Sequence, residues 1–416
     1  MEKLIITGQR PLRGEVAISG SKNAAVALIA AALLAEDEVI LENVPDIADI
    51  QNLIKIMKEL QVKVYKPDRN TLCIDARNME NCCLDSEPVH KMRASYYMLG
   101  VLLGRFHHAR VGFPGGCDFG SRPLDYHIKG FESLGAKVKS ERIIEARAET
   151  LTGSHIYLDF PSVGATINIM LASVLAGGTT IIENAAREPH VVDTANLLGA
   201  MGANVKGAGT SSIRIRGVAK LHGCRYSVLC DQIEAGTYMI ASAITGGDIT
   251  VTNVIPRHLE SISAKLREIG VAVIDQDDSV RILGGGVLHP IKVKTQPYPG
   301  FPTDMQPQMM TLLSTIPGVS VVTETIFDNR FRYVEQLLRL GANIEVSGQN
   351  AIIQGGTPLH GAEVSATDLR GGVAMVLAGL AAVGRTTLTN IHFIDRGYEN
   401  MVKKLTELGA QIKRTK

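Results

Sequence analysis

The residues of this 416-residue chain that could do chemistry recur at a fixed interval. Lys22, Arg93, Ser162, Glu234, Asp304 and Arg370 follow one another at steps of 71, 69, 72, 70 and 66 residues. Each stands just before an apolar stretch that reads as a helix. A helix start carries free N–H groups and the positive end of the dipole, so it attracts anions. Ser and Asp are ordinary caps, which is the plain reading of Ser162 and Asp304. Lys22, Arg93 and Arg370 oppose the dipole. Three such violations at one repeat position point to function, because local rules fail most often at functional sites. A second set of cations, Arg122, Arg187, Arg257, Arg330 and Arg396, lies in the loops after the next strands. Guanidinium forks suit phosphate and carboxylate.

The sharpest local feature is Pro114-Gly115-Gly116-Cys117, with Arg122, Asp125 and His127 close behind. A thiol among cations has a lowered pKa and becomes a nucleophile or acid. His127 has three readings: acid/base, orienter of a substrate hydroxyl, or cap of the next helix. The other five cysteines, at 73, 82, 83, 224 and 230, read as small hydrophobes. They form no metal-type pair and no disulfide framework, so no metal is expected, and a reduced cytoplasmic setting fits.

What must position these residues is a repeat. A helix-ending motif reads Leu134-Gly135-Ala136, Met201-Gly202-Ala203, Ile269-Gly270-Val271, Leu340-Gly341-Ala342 and Leu408-Gly409-Ala410, with a degenerate copy at Leu60-Gln61-Val62. The glycine takes a left-handed cap and a strand follows. Small-residue apolar helices are expected at 24–35, 94–103, 166–176, 237–245, 305–316 and 371–383. They are apolar all round, hence buried. β-prone stretches follow at 38–41, 108–112, 179–183, 248–252, 320–324 and 385–389. The expected fold is α/β: six repeats of about 70 residues around buried helices, three to each of two domains.

Composition agrees and excludes other classes. Apolar residues make up 45% and charged residues 20%, which excludes disorder. A net charge of +1 argues against a nucleic-acid or membrane-surface partner. The longest apolar runs, 24–35 and 371–384, are too short to span a bilayer. The first residues, Met1 to Pro11, show no secretory pattern.

On these residues the chain resembles the enolpyruvyl transferase family, and within it the enzymes acting on UDP-N-acetylglucosamine. The carrying motifs are Ser19-Gly-Ser-Lys-Asn-Ala-Ala25, the segment 114–127, Pro161-Ser-Val-Gly-Ala-Thr166, Glu183-Asn-Ala-Ala-Arg-Glu-Pro189, Gly300-Phe-Pro-Thr-Asp304, Ala366-Thr-Asp-Leu-Arg370 and Asp395-Arg-Gly-Tyr-Glu399. The resemblance implies a two-domain inside-out α/β barrel. One domain would be 21–229, with the Cys117 loop. The other would be 1–20 plus 230–416, with the site in the cleft between them. It implies transfer of the enolpyruvyl group of phosphoenolpyruvate to the 3′-hydroxyl of the UDP-sugar, without cofactor or metal. Lys22, Asn23, Arg122, Arg330, Arg370 and Arg396 would hold the donor. Asp304 would be the base, ionised by its helix start, and Cys117 the general acid and site of covalent attachment. Asn23, Arg93, Arg122, Pro123, Leu124, Asp125, Tyr126, His127, Ser162, Val163, Gly164, Asp304 and Ile326 would line the UDP-sugar site. Departures from the family pattern are Cys230-Asp-Gln232, Asp118-Phe119, His190 and Phe160. The rivals are an enzyme acting on shikimate 3-phosphate, which would lack the Cys117 loop, and an idle sugar-nucleotide-binding paralogue.

Overall fold

The computed structural model describes residues 2–115 and 124–416. These residues form six four-stranded sheets of one pattern. In one of them, strand Lys292–Lys294 leads into helix Gln306–Thr315 and then strand Gly318–Thr323. The two strands pair in parallel, which the intervening helix makes possible. A second helix, Val334–Arg339, then leads to a hairpin of Ile344–Ser347 and Asn350–Gly355, and Asn350–Gly355 pairs antiparallel with Gly318–Thr323.

The described residues divide into two compact units, 2–19 with 230–416 and 20–115 with 124–229. Each holds three of the sheets. Strand pairing explains why the N-terminal residues belong with the C-terminal half. Lys3–Thr7 fills the last repeat, between Arg385–Thr389 and Gln411–Thr415. Two repeats also exchange their first strands along the chain. Arg13–Ala17 precedes helix Lys22–Ala32 but pairs with Asp248–Thr252. Arg225–Ser227 precedes helix Gln232–Thr245 but pairs with Glu38–Glu42.

The first helix of each repeat is buried. In Lys22–Ala32 every residue from Ala24 onward is buried, and in Leu369–Ala381 every residue through Leu380. Side-chain hydroxyls inside such helices bond back one turn, as Thr311 Oγ1 does to Pro307 O at 2.9 Å and Ser314 Oγ to Met310 O at 2.9 Å. The second helices are one-sided. Ala48–Glu59 turns Ile50, Leu53, Ile56 and Met57 inward. One expected helix differs: 93–96 winds as a tighter 3-10 turn, and the α-helix is Tyr97–Phe106. Among the described residues no helix is long and apolar enough to cross a membrane.

The cap motif takes the expected conformation. Gly135, Gly202, Gly270, Gly341 and Gly409 have φ between +94° and +104°. Gln61 occupies the same place at φ +60°, where a side chain costs about 1–2 kcal/mol. Replacing Gln61 by Gly should therefore stabilise by about 0.5–1 kcal/mol. A Cβ on Gly409 would touch nothing within 4 Å, so Gly409→Ala isolates the backbone cost. That variant should lose about 1 kcal/mol or more in denaturant titrations.

Candidate active site

Six buried helices place six starts, and three of the cations noted above, Lys22, Arg93 and Arg370, lie at them. The details differ from the sequence expectation. Lys22 is the first residue of its helix, and Ser21 is the cap, accepting from Ala24 N at 3.3 Å. Glu234 and Arg370 lie inside the first turn. The caps there are Asp231, bonded to Ile233 N and Glu234 N, and Asp368, bonded to Arg370 N and Gly371 N. Arg93 opens the 3-10 turn Arg93–Tyr96. Ser162 caps as expected, accepting from Ala165 N at 3.3 Å. Asp304 does not cap. It lies in the 3-10 turn Thr303–Met305, and its carboxylate is engaged by side chains.

Those side chains are two arginines. Arg370 reaches Asp304 Oδ2 with Nη2 at 2.9 Å and Nε at 3.2 Å, and Arg330 Nη2 lies 3.3 Å from Oδ1. Arg330 is 1% exposed and Arg370 4%. So Arg330 is not the solvated arginine that a lone loop position suggests. Arg330 also donates to Thr303 O at 3.2 Å. Burial opposes the charge of Arg370, but Asp304, Tyr398 and Asp231 outweigh it and raise its pKa above the ordinary value. Its guanidinium lies 5.5 Å from the Tyr398 ring centre. Tyr398 in turn shares a 2.8 Å bond with Thr237 on helix Gln232–Thr245. Arg396 ends the 3-10 turn Ile391–Arg396 and is half-buried.

Sequence reasoning missed Glu324, which organises this side. It is 1% exposed and accepts four bonds: Thr295 Oγ1 at 2.9 Å, Ile326 N at 2.8 Å, Phe327 N at 3.3 Å and Thr303 Oγ1 at 2.9 Å. It thereby ties the Ile326 loop to the turn that carries Asp304. Lys404 was missed as well, and Glu399 was noted only as the end of the motif Asp395–Glu399, with no role. Lys404 Nζ lies 2.7 Å from Glu234 and 2.8 Å from Ser19 Oγ, and Ser19 Oγ donates to Glu399 at 2.7 Å.

In the other unit Lys22 is paired with the buried Asp49 at 2.9 Å, which offsets its conflict with the dipole. Asn23 beside it is half-buried. Arg93 stacks over the Tyr96 ring at 5.7 Å, and Tyr96 meets His127 edge-on at 4.8 Å between centroids. A Cβ on Gly164 would stand 2.5 Å from Tyr96 Oη and 3.2 Å from His127 Cε1, so only glycine admits both rings against Ser162–Val163–Gly164. Arg93, His127 and 162–164 are thus brought together. Leu124 is buried, Tyr126 half-buried and Asp125 exposed at the start of helix Asp125–Ser133. His127 is not a cap of that helix, contrary to one expectation; it sits in the first turn with no capping bond. Burial, then the charge of Arg93, push its pKa down to about 3. A ring so reluctant to take a proton is a weak base, which argues against the acid/base reading.

Cys117, Arg122 and Pro123 lie outside the described residues, as does the Asp118-Phe119 departure. Of the other departures, Gln232 is the first residue of helix Gln232–Thr245. His190 is buried in Pro189–Ala200, where its carbonyl accepts from Thr194. Phe160 is exposed. Burial pushes the Cys82 and Cys224 thiols up, and Cys73 is buried. Among the described residues no cluster of metal-ligating side chains occurs.

Known proteins resemble this chain over nearly its whole length. The family model described as EPSP synthase (3-phosphoshikimate 1-carboxyvinyltransferase) matches residues 6–405. A Caldanaerobacter subterraneus protein named UDP-N-acetylglucosamine 1-carboxyvinyltransferase 3 is 55% identical over 413 residues, 99% of each chain. A Bacillus subtilis protein named UDP-N-acetylglucosamine 1-carboxyvinyltransferase 2 is 53% identical over 99% of this chain and 96% of its own. The crystal structure of the enolpyruvyl transferase NikO from Streptomyces tendae covers the whole chain, and 99% of its own, with a TM-score of 0.90 at 27% identity.

The His127 shift has a measurable sign. The unfolded chain takes up a proton near pH 6.5, while the folded ring does so only near pH 3. Folding stability should therefore fall as pH drops through that window, by about 1.4 kcal/mol per unit from this group. The difference between wild type and His127→Gln in denaturant titrations should vanish above about pH 7.5 in its pH dependence and show that slope below about pH 6. Parallel curves across the acid range would contradict the assignment.

Proposed function

The chain belongs to the enolpyruvyl transferase family, and from that premise we propose that it joins phosphoenolpyruvate to the 3′-hydroxyl of UDP-N-acetylglucosamine. Phosphate is released, and the product is a peptidoglycan precursor. The observation that carries the reading is the 53–55% identity, over nearly the full length of both chains, with proteins named for that reaction. Six sheets of one pattern around buried helices support a further reading of the fold, as an inside-out α/β barrel of two three-repeat domains. A cytoplasmic location is part of the same proposal.

The reaction adds the sugar hydroxyl to C2 of the donor while a proton goes to C3. The tetrahedral adduct then loses that proton equivalent and phosphate to give the enol ether. Lys22, Arg122 and Arg396 take the phosphate, with Asn23 beside them. Arg330 and Arg370 take the carboxylate. In support, both arginines already hold a carboxylate, that of Asp304. Donor binding at the arginines releases Asp304 toward the sugar hydroxyl as base. Cys117 supplies the proton at C3 and can be covalently attached there. The UDP-sugar meets Arg93, 122–127, 162–164, Asp304 and Ile326.

Phosphate release should appear with UDP-N-acetylglucosamine as acceptor, and should persist with chelator present. Equal turnover with shikimate 3-phosphate would replace this reading by the sister reaction. A strict metal requirement would overturn the proposed chemistry.

Cys117 gives an independent check. An epoxide phosphonate such as fosfomycin, which by family resemblance imitates the donor, should alkylate Cys117, faster with the UDP-sugar present. Cys117→Asp should keep turnover and escape the label, because a carboxylic acid still donates a proton but forms no stable thioether. Mass spectrometry should find no label on Cys82 or Cys224, whose thiols are pushed up by burial. Label there, with none on Cys117, would remove Cys117 from the mechanism.

A further inference from the structure

Asn168 lies in the middle of the buried helix Val163–Ser173 and is wholly buried itself. Its side-chain amide makes three bonds. Oδ1 accepts from the N–H of Gly100 at 2.8 Å. Nδ2 donates to the carbonyl of Tyr96 at 2.9 Å. The same nitrogen lies 3.0 Å from Nδ1 of His127. The first two bonds fix which end of the amide is which. Turning it over would set an NH2 against the Gly100 N–H and an oxygen against the Tyr96 carbonyl, two buried like pairs. The second hydrogen on Nδ2 therefore points at His127, and the atom that receives it must be an acceptor. Nδ1 is the bare nitrogen of the ring, so the proton of the neutral imidazole is on Nε2.

The packing leaves the amide no alternative. A Cβ on Gly100 would lie 2.3 Å from Asn168 Oδ1 and 2.5 Å from Asn168 O, so the helix Tyr97–Phe106 approaches this closely only because that residue is glycine. Tyr96 and Gly164 hold the ring from two further sides. Of the groups facing the ring, Arg93 from the turn Arg93–Tyr96 is the charged one and Tyr96 the titratable one. The helix carrying Asn168 contributes no ionisable side chain, since its sequence from Val163 to Ser173 has none.

We propose that Asn168 is a positioning residue that holds His127 in its Nε2–H form, so that His127 meets the acceptor substrate as a fixed hydrogen-bond donor and takes no part in proton transfer. The inference rests on the reading of Arg93, His127 and 162–164 as the UDP-sugar site. Together with Arg93 it gives this side of the site two fixed donors. It therefore favours an oxygen-rich ligand group with no hydrogen of its own to give, such as a phosphate or a carbonyl.

The tautomer can be read in the wild-type protein without any variant. In long-range nitrogen–proton correlation spectra of labelled enzyme, His127 should show a pyridine-like Nδ1 and a pyrrole-like Nε2, unchanged from about pH 5 to about pH 9. A protonated Nδ1, or titration within that range, overturns the proposal. Asn168→Asp replaces the donor by an acceptor, moves the proton to Nδ1 and turns Nε2 into an acceptor. Calorimetric affinity for UDP-N-acetylglucosamine should then fall about ten- to a hundredfold at about pH 8. It should recover partly as pH falls, because the imidazolium formed beside the new carboxylate again carries Nε2–H. If Asn168→Asp does not fold, His127→Gln, which can still donate, should bind the UDP-sugar more tightly than His127→Ala. Unchanged affinity in Asn168→Asp, or equal loss in Gln and Ala, refutes the positioning role. If the wild type itself binds no UDP-N-acetylglucosamine, the reading of the site fails, and the spectrum decides the tautomer regardless.

Discussion

A helix buried on every side can show charge only at its ends. This constraint governs the molecule. Each repeat has such a helix just before its central strand, so the polar chemistry of the repeat is confined to the helix start and the loops beside it. The starts carry a free set of N–H groups, and here they are capped by Ser21, Ser162, Asp231 and Asp368. Once the caps satisfy the backbone, neighbouring positions are open to charged side chains. Lys22 and Arg370 follow their caps by one and two residues. The helix interior contributes a scaffold that cannot shift without opening the core.

The charges at these starts are not left to solvent. Lys22 is answered by Asp49, Glu234 by Lys404, and Arg370 with Arg330 by Asp304. Taking a single ion out of water costs several kcal/mol, so a buried arginine pair needs a counter-ion even before any ligand arrives. Asp304 fills that need. It holds the two guanidinium groups against one carboxylate. Glu324 does the corresponding work for the backbone, holding two loops by four accepted bonds.

Much of the fold was legible because the repeat is written twice, in apolar runs and in cap glycines. Gly135, Gly202, Gly270, Gly341 and Gly409 have the conformation their spacing implies, and Gln61 keeps it without being glycine. The ranking of helix-start residues was less legible. Sequence places Glu234 and Asp304 at equivalent points, but one is a first-turn residue paired with Lys404 and the other lies in a 3-10 turn under two arginines. Such pairings join residues far apart in the chain, and no local pattern announces them. Asn168 was hidden for another reason. A lone polar residue in an apolar run reads as tolerated noise until its three partners are known.

The exchange of first strands also governs the order in which the protein can be made. Arg13–Ala17 leaves the ribosome early, yet its partner Asp248–Thr252 follows only after the whole of the other unit. Lys3–Thr7 waits longer still, for strands at Arg385–Thr389 and Gln411–Thr415. During synthesis these two segments are unpaired strands on a growing chain. The unit between them can close once Arg225–Ser227 has joined Glu38–Glu42. Assembly is thus nested, inner unit first, and its long-range pairings make the outer unit the slow one. A nascent chain that has released its first 247 residues but not the strand Asp248–Thr252 carries one unit able to close and a leader strand still without its partner.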